Sequence, residues 1–489
     1  MSAAANGQTS AAILRGRLFL SNYFARRRLF FTKPLPLRLQ INRKYALNHQ
    51  QHTDVKVFKF GGASLKDAAG VKNVASILQK YQNEQLVIVV SAMGKTTNAL
   101  EEVVAAHAKQ SGKATELYEA LKEKHYAIMR ELFDAGDEAF ATVNDTFVEG
   151  EWVLEEKPAD NYDYMYDQIV CVGELVCSKI VSAYLNKIGL KTNWLDARDV
   201  VATDNTYREG WVIWEKTKAN AQKQVPSLFA SSNFIVTQGF IGSTSENFTT
   251  TLGREGSDYS AAIFSHCLDA ESMSIWKDVP GVLNADPRLF DNVIKLDRLS
   301  YKEAIEMTYY GASVIHPKTI KPLQNKSIPM YVKCFLAPDA PGTEISSDTE
   351  DTYPPIVMVE KNQALLHIST NDYSFVAEHH MARLFNKLAD LRIFVNMMQN
   401  TAISFTICVQ NAPERVEKFV KAVSDAFKVK TEEDLELITV RHYNQDTIDN
   451  LKKGKIVLFE ERIRNTMQMV VKNVPPIERK EVDLAGSKN

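Results

Sequence analysis

Arg254, Ser257 and Asp258 stand together in the stretch Thr249 to Phe264, TTTLGREGSDYSAAIF, and their types suit the handling of anions. Threonines lead into a Gly253-Arg254-Glu255-Gly256 turn, and an alanine-rich apolar run follows. That order reads as an extended approach, a glycine turn, and a helix capped by Ser257 or Asp258. Such a helix start aims unpaired N–H groups and the positive end of a dipole at whatever lies before it. Arg254 adds a planar fork that matches a carboxylate or a phosphate. Taken alone, the same residues also describe an ordinary turn before an ordinary capped helix, so other stretches must decide.

Several other segments present glycine turns at strand ends. Asp54 to Phe60 alternates polar and apolar residues and meets Gly61-Gly62, with a helical pattern from Lys66 to Tyr81 behind it. Leu86 to Val90 is a buried strand by its β-branched run and ends at Ser91-Ala92-Met93-Gly94. A long polar helical region runs from Thr97 to about Asp145, and Asp167 to Ile188 carries apolar residues at helical spacing with Glu174 set among them. Short strands at Phe234 to Val236 and Ser272 to Trp276 enter Thr237-Gln238-Gly239-Phe240 and Lys277-Asp278. Strands alternating with helices predict an α/β domain, an open and mostly parallel sheet sandwiched by helices. Ligands of such sheets collect at the carboxyl ends of the strands, so the glycine turns are expected to converge on one cleft. Gly94-Lys95-Thr96 imitates the end of a P-loop, but the glycine required five positions earlier is Val89.

Composition narrows the classes. The chain has 489 residues, 45% of them hydrophobic, with a net charge of −2, so it can bury large cores and has no basic surplus for nucleic acid. No apolar run approaches the roughly 20 residues that cross a bilayer. The five cysteines (Cys171, Cys177, Cys267, Cys334 and Cys408) form no CxxC pair and read as reduced, buried thiols of a cytoplasmic protein. His379-His380 has no metal-ligand spacing, and no protein metal site is expected. Before Asp54 there are nine Lys and Arg and no acidic residue. Residues 1–53 are therefore set apart from the fold as a disordered basic extension, with an organelle-import leader as the alternative.

Pro338 to Pro355 is rich in Pro, Ser, Thr and acids and reads as a domain boundary. A first domain over 54–345 and a linker over 346–360 are read from it. Residues 361–475 show two small strand–helix–strand units in succession, and 476–489 is a tail.

Together these blocks carry a resemblance. Lys59-Phe60-Gly61-Gly62-Ala63-Ser64 resembles the Lys-Phe-Gly-Gly-Thr-Ser signature of aspartate kinases. Ser91-Ala92 with Thr97-Asn98, Thr237 to Phe240, Leu252 to Asp258, Asp278 to Val282, Ala285 to Arg288 and Gly311 to Pro317 resemble the family's blocks in the family's order. The match covers roughly 54–345, and the two C-terminal units are similar in layout to paired ACT modules. The resemblance implies the amino-acid kinase fold and transfer of the ATP γ-phosphate to the side-chain carboxylate of L-aspartate. It implies Lys59 and Asp258 at the reacting groups, with Lys59, Gly61, Gly62, Ser64, Lys277, Asp278 and Arg288 toward nucleotide. Thr97, Glu174, Phe240, Arg254 and Ser257 would hold the acceptor, Arg254 by its α-carboxylate and Glu174 by its α-ammonium. Mg²⁺ is expected with ATP, held by phosphates and water more than by protein carboxylates. A homodimer with a lysine or threonine effector at the ACT units is also implied.

Three positions depart from the family's pattern: Ala63 for Thr, Glu255 for the middle Gly, and Ser313 where many members carry a phosphate-reaching Lys. Lys277, in place of the Thr common before Asp278, is expected to restore that charge. A catalytically weak, amino-acid-sensing relative on the same fold is the alternative reading. Another amino-acid kinase, acting on glutamate or a nucleotide, suits the fold but not the combined blocks.

Overall fold

The computed structural model describes residues 53–312, 315–347, 352–372 and 374–474. The basic extension, Ser313 and the tail lie outside the described residues. Strand β1 (Thr53–Phe60) lies parallel to β2 (Gln85–Val90), whose β-branched residues are fully buried. Between them a short 3-10 turn at Gly62–Leu65 precedes α1 (Ala68–Gln79), capped by Asp67. The region read as one long polar helix is three: α2 (Thr96–Ala108), α3 (Ala114–Leu132) and α4 (Glu138–Glu155). Gly112 and Gly136 break it with positive φ angles of 74° and 89°, which side-chain-bearing residues rarely adopt.

Helix α5 (Tyr162–Lys187) follows, 26 residues long. By length and composition it could cross a membrane, which corrects the expectation that no run comes close. Here it is a core helix, packed against α2, α4 and the sheet, with acidic residues inside the fold. Then come β3 (Thr192–Leu195), α6 (Trp214–Phe229), β4 (Phe234–Gln238), β5 (Ile241–Ser243), β6 (Thr249–Thr251), α7 (Gly256–Leu268) and β7 (Ala270–Lys277). The domain closes with a hairpin of β8 (Val282–Leu283) and β9 (Lys295–Leu296), then β10 (Arg298–Ser300), α8 (Tyr301–Tyr309), α9 (Pro317–Gln324), β11 (Met330–Cys334) and β12 (Thr343–Ser346).

The main sheet has eight strands in the order β10-β12-β11-β7-β1-β2-β4-β3, parallel except for the β11/β12 pair. Alternate residues of β1 and β2 point to opposite faces and join two separate apolar cores. Phe58, Phe60, Ile88 and Val90 pack with α1 to α5, whereas Val57, Val87 and Val89 pack with α7 and α9.

Beyond it, β13 (Ile356–Thr370), α10 (Glu378–Asp390), β14 (Val395–Asn400), β15 (Ser404–Gln410), α11 (Pro413–Val423), β16 (Phe427–Arg441), α12 (Gln445–Lys452), β17 (Lys455–Ile463) and β18 (Thr466–Asn473) build one six-stranded antiparallel sheet, ordered β14-β15-β13-β16-β18-β17. The two C-terminal units thus share a continuous sheet, joined by the long β13/β16 pairing. Strand β12 pairs into the catalytic sheet from within the Pro- and Ser-rich stretch, and β13 begins at Ile356, inside the segment read as linker. A buried ion cluster joins the two sheets' territories. Arg441 on β16 donates to both Glu303 oxygens at 2.6 and 2.8 Å and to Glu306 at 2.9 Å, both acids on α8.

Candidate active site

A cavity of about 1080 Å³ opens at the carboxyl ends of β1, β2 and β4. Lys59, Gly62, Thr97, Glu174, Phe240, Arg254, Ser257 and Asp258 all line it. They arrive from β1 and the turn after it, from α2, α5 and α7, and from the loops after β4 and β6, so the strand ends do converge, as expected of parallel sheets.

The floor is an ion pair. Lys59 Nζ lies 2.6 Å from Asp258 Oδ1, and Lys277 Nζ, from the end of β7, lies 3.6 Å from Asp258 Oδ2. Asp258 is only 1% exposed. Burial, the largest single influence, pushes its carboxyl up, but Lys59 and Lys277 together overcome this and hold it below the usual range. Asp258 thus gathers two ammonium groups at one buried carboxylate, an arrangement suited to phosphate.

The glycines beside Lys59 are dictated by space. A Cβ on Gly62 would fall 2.7 Å from the Ala92 carbonyl oxygen and 2.8 Å from that of Gly94. Only glycine lets the β1 turn approach the β2 turn this closely, and the Gly94 N–H donates to Gly62 O at 3.0 Å. Gly61 lies beside the Lys59 ammonium. Ser64 is buried and spends its hydroxyl on the Gly61 carbonyl at 2.7 Å, so it braces the turn and does not line the cavity.

Helix α7 starts two or three residues earlier than a cap at Ser257 or Asp258 would place it. Its N-cap is Glu255, in the left-handed region at φ 55°, with no side-chain cap, and Ser257 and Asp258 lie inside the first turn. The Gly256 N–H donates to the Gly253 carbonyl oxygen at 2.9 Å and the Tyr259 N–H to that of Glu255 at 3.1 Å, and the residues of this helix start, Gly256, Ser257 and Asp258, line the cavity. Phe240 is also left-handed, at φ 72°, and is locked by close approach: a Cβ on Gly256 would sit 2.5 Å from its ring. Its N–H donates to Ser260 Oγ at 2.9 Å. Such strain on a large residue beside a cavity is the kind that functional sites retain.

Glu174 is 2% exposed, and burial raises its carboxyl to about 8 even though the Ala92 N–H donates to it. Its Oε2 has no hydrogen-bond partner among the described residues. A buried carboxylate oxygen aimed into a cavity fits a cationic group such as an ammonium. Arg254 is exposed at the rim, and among the described residues no carboxylate pairs with it.

Of the residues expected toward nucleotide, Lys59 and Gly62 line the cavity, whereas Gly61, Ser64, Lys277, Asp278 and Arg288 do not. Asp278 is exposed and Arg288 is 83% exposed, paired to Asp286 at 2.7 Å, and neither lines the cavity. Arg288 is held by its own turn. The sequence reading missed Asp167, which is fully buried on α5. It accepts from the Thr251 N–H at 2.8 Å, the Thr251 hydroxyl at 2.7 Å and the Arg208 N–H at 2.9 Å, tying β6 and the Arg208 loop to the wall. Burial raises it to about 6 despite those three donors. The signal was present: Asp167 stands two helical turns before Glu174, on the same face of an otherwise apolar segment. Asp167 does not itself line the cavity; Arg208, Arg392, Phe394 and Arg415 do, and were not anticipated.

A mostly parallel sheet with a lysine and a glycine cradle at its strand ends defines a class of phosphate-handling α/β proteins, and the amino acid kinase family matches residues 54–334. The chain belongs to the amino acid kinase family and, within it, to the aspartokinases. Aspartokinase 2 of Arabidopsis thaliana, a chloroplastic protein, is 31% identical over 82% of this chain and 75% of its own length. The lysine-sensitive aspartokinase 3 of Escherichia coli is 29% identical over 79% of this chain and 87% of its own. The chain spans 42% of the length of an Arabidopsis bifunctional aspartokinase/homoserine dehydrogenase that is 31% identical to it. Crystals of E. coli aspartokinase III with lysine and aspartate give a TM-score of 0.73 at 25% identity, covering 86% of this chain and 96% of that one. The same enzyme with aspartate and ADP gives 0.71.

Proposed function

We propose that this protein is an aspartate kinase, transferring the γ-phosphate of ATP to the side-chain carboxylate of L-aspartate to give 4-phospho-L-aspartate. The observation that carries this is the meeting of Lys59, Glu174 and Arg254 on one cavity. The E. coli enzyme crystallised with aspartate and ADP supports the same substrates here.

The chain's own residues have limited chemistry to do. An ordinary side-chain carboxylate is ionised at neutral pH and needs no general base to attack phosphorus. One carboxylate oxygen forms the new P–O bond, the bond to the leaving ADP oxygen breaks, and no proton changes hands. Catalysis then consists of positioning and charge neutralisation. Lys59 neutralises phosphate charge, and Gly62 keeps the turn narrow enough for backbone N–H groups to approach. Asp258, held ionised, orients Lys59 and Lys277 instead of accepting a proton. Arg254 grips the α-carboxylate and Glu174 the α-ammonium, and Thr97, Phe240 and Ser257 shape the acceptor end. Mg²⁺, expected with ATP, would supply further neutralisation of phosphate charge. Lys277 takes over the phosphate charge of the lysine replaced by Ser313.

The pathway is that of lysine, threonine, methionine and isoleucine synthesis. The shared six-stranded sheet leaves β14 and β17 as edges, with Met398, Ile456 and Leu458 exposed on them, which supports a homodimer through those edges and a lysine or threonine effector at the seam. The protein works in the cytoplasm, or in an organelle if its basic extension is a leader. A coupled assay of ADP release tests the function: aspartate must be required, glutamate must not replace it, and Lys59→Met must abolish turnover. ADP release that is indifferent to aspartate would favour the weak, amino-acid-sensing alternative.

A further inference from the structure

The catalytic cavity has a second wall, supplied by the C-terminal region. Arg392 lies in the loop between α10 and β14 at φ 52°, and Arg415 lies in the first turn of α11. Both line the cavity that also holds Lys59, Glu174 and Arg254. They form one piece, because Arg415 Nη1 donates to the Arg392 carbonyl oxygen at 3.1 Å. Both are exposed, and among the described residues no carboxylate pairs with either. Phe394, two residues on, is 78% exposed at the same mouth.

Position decides which ligand they face. The cavity takes in all five residues expected at the acceptor end, Thr97, Glu174, Phe240, Arg254 and Ser257, but of those expected toward nucleotide only Lys59 and Gly62. Aspartate carries two carboxylates and one ammonium; of the two catalytic-domain arginines on the cavity, Arg208 lies 3.3 Å from Asp163, which leaves Arg254 without a carboxylate partner among the described residues. An unpaired guanidinium at the rim of a partly desolvated site is a carboxylate ligand by geometry and charge.

We infer that Arg392 and Arg415 are acceptor-binding residues, so that the first C-terminal unit completes the aspartate site in cis. This rests on the aspartate kinase reading. It gives the C-terminal region a direct route to the acceptor: any shift of the α10–β14 loop withdraws positive charge from the cavity and raises the aspartate KM while leaving nucleotide binding alone.

The test is steady-state kinetics on the full chain, varying aspartate and ATP separately, for wild type, Arg392→Gln, Arg415→Gln, the double Gln variant and the double Lys variant. The aspartate KM is expected to rise about tenfold in the double Gln variant, with the ATP KM within about twofold of wild type and the double Lys variant partly restored. An aspartate KM that does not move, or aspartate and ATP KM values that rise together, overturns the inference. The single Gln variants keep the carbonyl contact or its partner loop, and they decide the matter if the double variant does not fold. A wild-type chain that releases no ADP with aspartate is a separate result and removes the functional reading, and this inference with it.

Discussion

Lys59 and Asp258, 199 positions apart in sequence, meet at 2.6 Å on the floor of the cavity, and Lys277 approaches the other oxygen of the same carboxylate. The contact fixes the ammonium at the end of β1 where a phosphate has to arrive. Asp258→Asn keeps the shape and removes the charge that aligns both lysines. Steady-state kinetics should give a kcat lower by about a hundredfold or more, with circular dichroism unchanged. A kcat within about threefold of wild type would remove Asp258 from the machinery.

Glu174 makes acceptor binding depend on pH. Burial holds its carboxyl at about 8, above the ordinary 4.5, so its contribution to ligand-free stability is full in acid and is lost as pH climbs through that window. An arriving ammonium favours the ionised form. Calorimetry at pH 7 in buffers of different ionisation enthalpy should show aspartate binding releasing about one proton, and the release should vanish above about pH 9. Glu174→Gln should abolish the release and raise the ligand-free melting temperature relative to wild type at pH 9.

Glu255 occupies a left-handed backbone position at φ 55° that suits glycine, and it places an anion at the acceptor rim. Glu255→Gly relieves both. Chemical denaturation should show stability unchanged or raised by up to about 1 kcal/mol, and the aspartate KM should fall a few-fold. A higher aspartate KM would mean that Glu255 contributes to the site.

Arg441 and Glu303 tie the C-terminal sheet to α8, and their side chains are 6% and 5% exposed. Burial pushes Glu303 up, but Arg441 and His442 hold it below the usual carboxylate range, so its stabilising contribution is present at neutral pH and is lost on acidification. Arg441→Met leaves a buried acid without its main partner and should cost about 3 kcal/mol in urea unfolding at pH 7, with the difference shrinking toward pH 4. An unchanged midpoint would show that the two sheets do not depend on this link.

Local chemistry was legible in the sequence, and encounters between distant segments were not. Gly62, Gly253 and Gly256 announce turns because a missing Cβ constrains the backbone where it stands, and β1 and β2 declare themselves by β-branched alternation. Helix α6 stayed hidden because its Lys- and Gln-rich surface carries little apolar pattern and Pro226 interrupts it. Strand β12 is four residues inside a stretch whose composition marks a linker, and only its pairing with β10 and β11 makes it a strand. Arg392 and Arg415 carry no signal in sequence, since nothing near them records that the α10–β14 loop and the start of α11 reach the catalytic cavity. Asp167 was the one missed site residue with a local signal.

The most direct measurement is hydroxylamine trapping of the acyl phosphate. Full-length protein with Mg-ATP, hydroxylamine and L-aspartate should form aspartyl hydroxamate in proportion to ADP released. The Lys59→Met variant should form none, and glutamate should not substitute. ADP release without hydroxamate, or equal product from glutamate, would contradict phosphoryl transfer to the aspartate side chain.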